Sequence, residues 1–112
     1  MEKNDSVWFW LKNTILMVSK DYKDLKYLES PVCEILDEID TAYSMGLSDQ
    51  SLRFFIKQKW LNEKQQKKLK KLKESMDNLE NKKWNLIDFD NDSEWLAIKK
   101  IAKTLKKELN LK

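Results

Sequence analysis

The sequence predicts an all-α fold, a compact bundle of about five helices with an ordered, aromatic-anchored loop before the last of them, and three observations predict it. The first is turn chemistry. One glycine and one proline in 112 residues cannot supply the many tight turns that a β-sandwich or a doubly wound sheet requires. The second is the apolar set, which includes five Trp, four Phe and three Tyr and is too aromatic for a disordered chain. The third is periodicity, with apolar residues recurring at spacings of three and four. At this length a single domain, residues 1–112, is expected.

Taken in order, Asp5 or Ser6 caps a first helix running to about Lys20. Trp8, Leu11, Ile15 and Val18 form its stripe, widened by Phe9 and Leu16. The stretch Asp21 to Glu29 reads as either a short helical extension or a structured connection. Ser30-Pro31 starts the second helix, because serine caps free amide hydrogens and proline at the first helical position gives up a hydrogen it does not need. Val32, Ile35, Leu36, Ile39, Ala42 and Tyr43 mark its buried side, and Gly46 lies where a left-handed cap is expected. Ser48 caps a third helix with Leu52, Phe55, Ile56 and Trp60 inward. Asn62 with Gln65 three residues on is a capping-box restart, which places a kink or short turn near Leu61. The fourth helix carries Leu69, Leu72, Met76 and Leu79. Asn81 to Asn91 reads as a loop held by Trp84, Leu86, Ile87 and Phe89. Asp92 or Ser93 then caps a final helix with Trp95, Ile98, Ala102, Leu105 and Leu109 inward, while Lys99, Lys100, Lys103, Lys106 and Lys107 crowd its later turns. Met17, Met45, Met76 and most of the tryptophans are expected in or near the core, with Trp84 the one most readily placed at the surface.

The net charge of +3 hides a strong internal polarity. Between Glu29 and Asp49 there are six carboxylates (Glu29, Glu34, Asp37, Glu38, Asp40 and Asp49) and no basic residue. Between Arg53 and Lys73 there are nine basic residues and one acid, Glu63. A second acidic group, Asp88, Asp90, Asp92 and Glu94, precedes the last helix.

These counts exclude much chemistry. The chain has no histidine and one cysteine, Cys33, so zinc sites, imidazole bases and cysteine-histidine nucleophiles are absent. Cys33 also has no partner for an internal disulfide. No enzyme is expected, and neither metal nor cofactor. The alternating acids from Asp88 superficially resemble an EF-hand loop, but the sixth and twelfth positions, which need Gly and Glu, hold Ser93 and Lys99. No apolar run approaches the roughly 20 residues that span a bilayer, and the start Met-Glu-Lys-Asn-Asp is unlike a signal peptide. A cytoplasmic protein with no membrane partner is expected.

Like charges at Glu34/Glu38 and Asp37/Asp40 cost helix stability, so an acidic face kept free of lysine points to a positive partner. The candidate partner-binding residues are Glu34, Asp37, Glu38, Asp40, Trp84, Asp88, Asp90, Asp92 and Glu94. The alternative is a small nucleic-acid-binding or regulatory module using the basic segment 53–73. It is disfavoured by a single arginine and by the lack of a glycine-containing turn for a helix-turn-helix. The polarity also admits a homo-oligomer, which is not predicted.

Two stretches carry a family resemblance. Tyr27-Leu28-Glu29-Ser30-Pro31 with Glu34-Ile35 and Tyr43 is similar to the L-x-S-P helix opening of small helical bacterial immunity proteins, including those of contact-dependent inhibition and polymorphic toxin systems. Trp84-x4-Phe89-x5-Trp95-x2-Ile98-x3-Ala102-x2-Leu105 resembles their closing Trp, polar loop, second Trp and final helix. The resemblance implies a non-catalytic protein that neutralises one cognate protein toxin, a nuclease domain being one candidate, by occluding it in the cytoplasm of the producer. Its contacts would then fall on the acidic helix and the Asp88 to Glu94 stretch.

Overall fold

Ser48, Asn62 and Asp92 each sit where a helix must begin, and each does what its side chain allows. In the computed structural model, which describes residues 6–26 and 34–111, the Ser48 hydroxyl accepts the Ser51 amide at 3.1 Å and caps α4 (Asp49–Lys57). Asn62 and Gln65 close a complete capping box on α5 (Glu63–Asp77), the two reciprocal bonds measuring 2.8 and 2.9 Å. Asp92 accepts the amides of Glu94 and Trp95 at the start of α7 (Ser93–Glu108). Each such cap contributes of order 1 kcal/mol. The other helices are α1 (Ser6–Val18), α2 (Tyr22–Leu25), α3 (Ile35–Gly46) and α6 (Leu86–Asn91). The described residues contain no strand.

The fold is all-helical, with seven helices among the described residues rather than about five. The five longer ones are those expected, and the two extra are short. α2 resolves the Asp21 to Glu29 stretch as a helical turn as far as Leu25. Residues 81–91 are not a loop. They form a 3-10 turn, Asn81–Lys83, followed by α6, whose N-cap Asn85 accepts the Asp88 amide at 2.9 Å. Asn85 is the start signal that the loop reading passed over.

α1 is the central helix. It lies between α3 and α7, while α5 and α6 pack on the other sides of α7 and α2 rests on α6. Leu11, Ile15 and Val18 of α1 meet Ile35, Ile39 and Ala42 of α3 and Trp95, Ile98, Ala102 and Leu105 of α7 in one continuous core, all without exposure. Leu69, Leu72, Met76 and Leu79 are buried as their spacing predicts. Trp8, Phe54, Phe55 and Trp60 form an aromatic cluster at one end, with ring centroids 5.5 to 6.2 Å apart. Phe9, Met45, Ile56 and Ile87 are exposed, against expectation. Each lies beyond the edge of its helix's buried arc, which in these short helices is narrower than the full set of apolar positions.

Two chain reversals depart from the sequence reading. Gly46 is not a left-handed cap, since it is the last residue of α3 and its φ is not positive. Its role is close approach: a Cβ there would stand 2.5 Å from the Leu11 amide nitrogen and 2.8 Å from the Trp10 carbonyl carbon, so the end of α3 can touch the α1 backbone only as glycine. The left-handed position near Leu61 is Lys59 (φ 58°), where Lys59 N–H bonds Ile56 and Trp60 N–H bonds Phe55 in a Schellman turn. α3 opens at Ile35, with Glu34 extended before it. Ser30, Pro31, Val32, Cys33 and the Tyr27 to Glu29 part of the resemblance lie outside the described residues.

Candidate partner-binding groove

The acids of α3 fall into place through the same periodicity that builds its core. Ile35, Ile39 and Ala42 face inward, which leaves Glu34, Asp37 and Asp40 on the far side and Leu36 and Tyr43 on the boundary. Asp37 and Glu38 lie in the first turn, where the helix dipole favours negative charge. Asp40 lies beyond it. Across from this face come the end of α5 and the chain that follows it, contributing Met76, Asp77, Leu79 and Asn81, then Trp84. Between them runs an open groove of about 490 Å³ lined by Glu34, Leu36, Asp37, Asp40, Tyr43 and these five residues.

Glu34, Asp37 and Asp40 are exposed and form no ion pair among the described residues. Asp77 is different. Lys73, one turn back on α5, bridges it at 2.7 Å and reaches Asp49 at 3.7 Å, while partial burial pushes the Asp77 carboxyl above its ordinary value. The groove therefore presents three uncompensated carboxylates beside an aromatic wall. That wall is the half-buried Trp84, whose ring stands edge-on to Trp95 at 5.1 Å and tilted against Tyr43 at 6.4 Å.

Of the nine residues singled out from the sequence, Glu34, Asp37, Asp40 and Trp84 meet in this groove. Glu38 lies outside its lining, on the opposite flank of the α3 core stripe. The acids of the second group serve the fold. Asp88 accepts from the Asn85 amide side chain at 2.7 Å. Asp90 accepts the Tyr22 amide at 2.9 Å and lies 3.9 Å from Lys99 Nζ. Asp92 caps α7, and Lys83 bridges Asp92 at 3.3 Å and Glu94 at 2.6 Å. The Asp92 carboxyl lies below its ordinary value: partial desolvation pushes it up, but the Glu94 and Trp95 amides and the Lys83 ammonium together outweigh that. Lys83 is raised, chiefly by its hydrogen bond to Glu94.

Sequence reasoning missed Tyr43 and Asp77 as groove residues and Lys99 as a buried one. Asp77 carries no local signal, because only the packing of α5 brings it opposite α3. Lys99 does carry one: it falls between Ile98 and Ala102 on the inner arc of α7, but its charge placed it among the outward lysines. Its side chain is 4% exposed. Lys99 Nζ donates to the Lys20 carbonyl, lies 3.5 Å from Asp21 Oδ1 and sits 3.5 Å above the centroid of the Phe89 ring. Burial lowers its pKa, and Asp21 and Asp90 oppose that shift.

Along the basic segment, Lys68 pairs with Glu108 and Lys73 with Asp77, leaving Lys64, Lys67, Lys70 and Lys71 exposed on α5. Among the described residues no group of three or more acidic, cysteine or histidine side chains could hold a metal ion, and no helix is long and apolar enough to cross a membrane. Compared with family models, with curated proteins and with solved structures, the chain matches none.

Proposed function

We infer that this chain is an immunity-type inhibitor, a non-catalytic protein that neutralises a cognate protein toxin by seating a positively charged part of it in the α3 groove. The observation that carries this reading is the unpaired trio Glu34, Asp37 and Asp40 beside Trp84 and Tyr43 in one open groove. Unpaired like charges on one helix face weaken the helix, and they repay that cost when a cationic surface arrives, by steering association and excluding neutral competitors. Trp84 supplies the complement, a rigid amphipathic surface of the kind that dominates binding energy at protein interfaces. A toxin whose cleft holds phosphate, as a nuclease domain does, has the matching charge.

The test is co-expression with the toxin encoded immediately upstream. The wild-type chain should protect cells and co-purify with it. Charge reversal at Asp37 and Asp40 (Asp37→Lys, Asp40→Lys) should slow association by about tenfold or more at low salt, with the effect shrinking as ionic strength rises. Full-rate association by the reversed variant would move the contact off α3.

A second reading rests on the exposed, unpaired lysines of α5. A nucleic-acid-binding module would show steeply salt-dependent binding to DNA or RNA. A gel shift with none at low salt removes it.

A further inference from the structure

The Trp84 wall is one end of a continuous chain of ring contacts. Trp84 stands edge-on to Trp95 at 5.1 Å, and Trp95 stands edge-on to Phe89 at 5.1 Å. The far face of that chain is closed by a cation, Lys99 Nζ, 3.5 Å above the Phe89 centroid. Phe89 and Trp95 have no exposure, and Trp95 is tied further by its indole N–H, which donates to the Lys83 carbonyl at 2.8 Å. Buried rings in edge-on contact move together, because a close-packed interior has no free volume into which one can tilt alone.

The ammonium itself is held from three sides. The Lys20 carbonyl, just past the end of α1, accepts from it, Asp21 approaches before α2, and Asp90 approaches from α6. Lys103, one turn along α7, is the like charge nearby. Lysine is seldom fully buried unless paired. An alkyl side chain of similar length would fill the same space while losing the pull on Phe89.

We propose that Lys99 is a positioning residue for the groove: anchored by Lys20, Asp21 and Asp90, its ammonium pins the Phe89 ring, and through Phe89 and Trp95 it sets the pose of Trp84. The functional consequence rests on the groove being the contact face, whereas the coupling itself is a property of the free protein and is tested there.

The protein is labelled with 5-fluorotryptophan, and its five 19F resonances are assigned by single Trp→Phe substitutions. In Lys99→Met, the Trp84 and Trp95 lines shift by more than their width while those of Trp8 and Trp60, in the separate aromatic cluster, stay in place. Loosening of the whole fold would instead broaden or move all five. A second measurement keeps the test open if Lys99→Met fails to fold. In the wild-type chain raised from pH 7 to pH 11, the Trp84 line titrates with the midpoint of the Lys99 side-chain signal, below the ordinary lysine value, as the burial of Lys99 requires. A Trp84 line unmoved in a folded Lys99→Met, or indifferent to the Lys99 titration, overturns the proposal. Failure to bind any toxin leaves these 19F outcomes unchanged and counts only against the immunity reading.

Discussion

Two acidic stretches of nearly equal density, Glu34 to Asp40 and Asp88 to Glu94, have opposite fates. Around α6 and the start of α7 the acids are absorbed into the fold: Asp88 by Asn85, Asp90 by Tyr22 and Lys99, Asp92 by two helix amides and Lys83, Glu94 by Lys83. On α3 the exposed acids Glu34, Asp37 and Asp40 find no cation among the described residues and open onto a groove. The difference lies in what surrounds them. Around α6 and α7 the carboxylates meet helix amides and the ammoniums of Lys83 and Lys99, whereas at the start of α3 Glu34 makes no side-chain capping bond and no lysine ion-pairs with Glu34, Asp37 or Asp40 among the described residues. Charge density therefore says little about a binding surface until the local donors have been subtracted.

That contrast yields three measurable consequences. The largest concerns Asp90, which serves both the Tyr22 amide and Lys99. Asp90→Ala should cost about 1.5 kcal/mol in urea unfolding, because it withdraws the acceptor of the Tyr22 amide and a nearby counter-charge from Lys99. A neutral result would put Asp90 with the free acids of α3.

A smaller effect is expected at Asp92, visible in its pH dependence. Its carboxyl lies below the ordinary 3.8 in the folded chain. Such a group contributes stability at higher pH and forfeits it as the pH falls through its lowered native value. Thermal melts from pH 7 to pH 2 should show the wild type losing an increment below about pH 4 that Asp92→Asn lacks at every pH.

The smallest effect belongs to α3. Asp37→Asn with Asp40→Asn should leave stability within about 0.5 kcal/mol of wild type, with a slight gain from relieved repulsion. The same pair should weaken partner binding. A marked loss of stability instead would mean that these carboxylates, too, are structural.

Much of the frame was legible because its signals are local. Ser48, the Asn62–Gln65 box and Asp92 each satisfy amide hydrogens within three residues, so their side-chain chemistry announces the helix. The inward stripes of α5 and α7 followed from spacing alone. What could not be read depends on pairs far apart in the chain. The groove exists because α3 meets residues some 40 positions later, and nothing near Asp77 or Asn81 encodes that meeting. Four of the nine candidate residues, Asp88, Asp90, Asp92 and Glu94, carry bonds within the fold that local sequence does not announce. The acids from Asp88 to Glu94 look unpaired in sequence, yet their partners include Tyr22, 68 positions away from Asp90. Lys99 was misread although its position was right, because a lysine on an inner arc is buried only when other segments bring it ligands, as Lys20, Asp21 and Phe89 do.

The contact at Gly46 gives the groove a hidden reference point. The end of α3 touches the backbone at Trp10 and Leu11, leaving no room for even one methyl group, so the depth at which α3 beds onto α1 has a single permitted value. Glu34, Asp37 and Asp40 ride on the opposite side of that same rod. Any added bulk at Gly46 would lever the rod outward and swing its acids relative to Trp84, whose own seat is on the other side of the cleft. The width of the groove between α3 and Trp84 is thus gauged from behind, by a residue with no side chain.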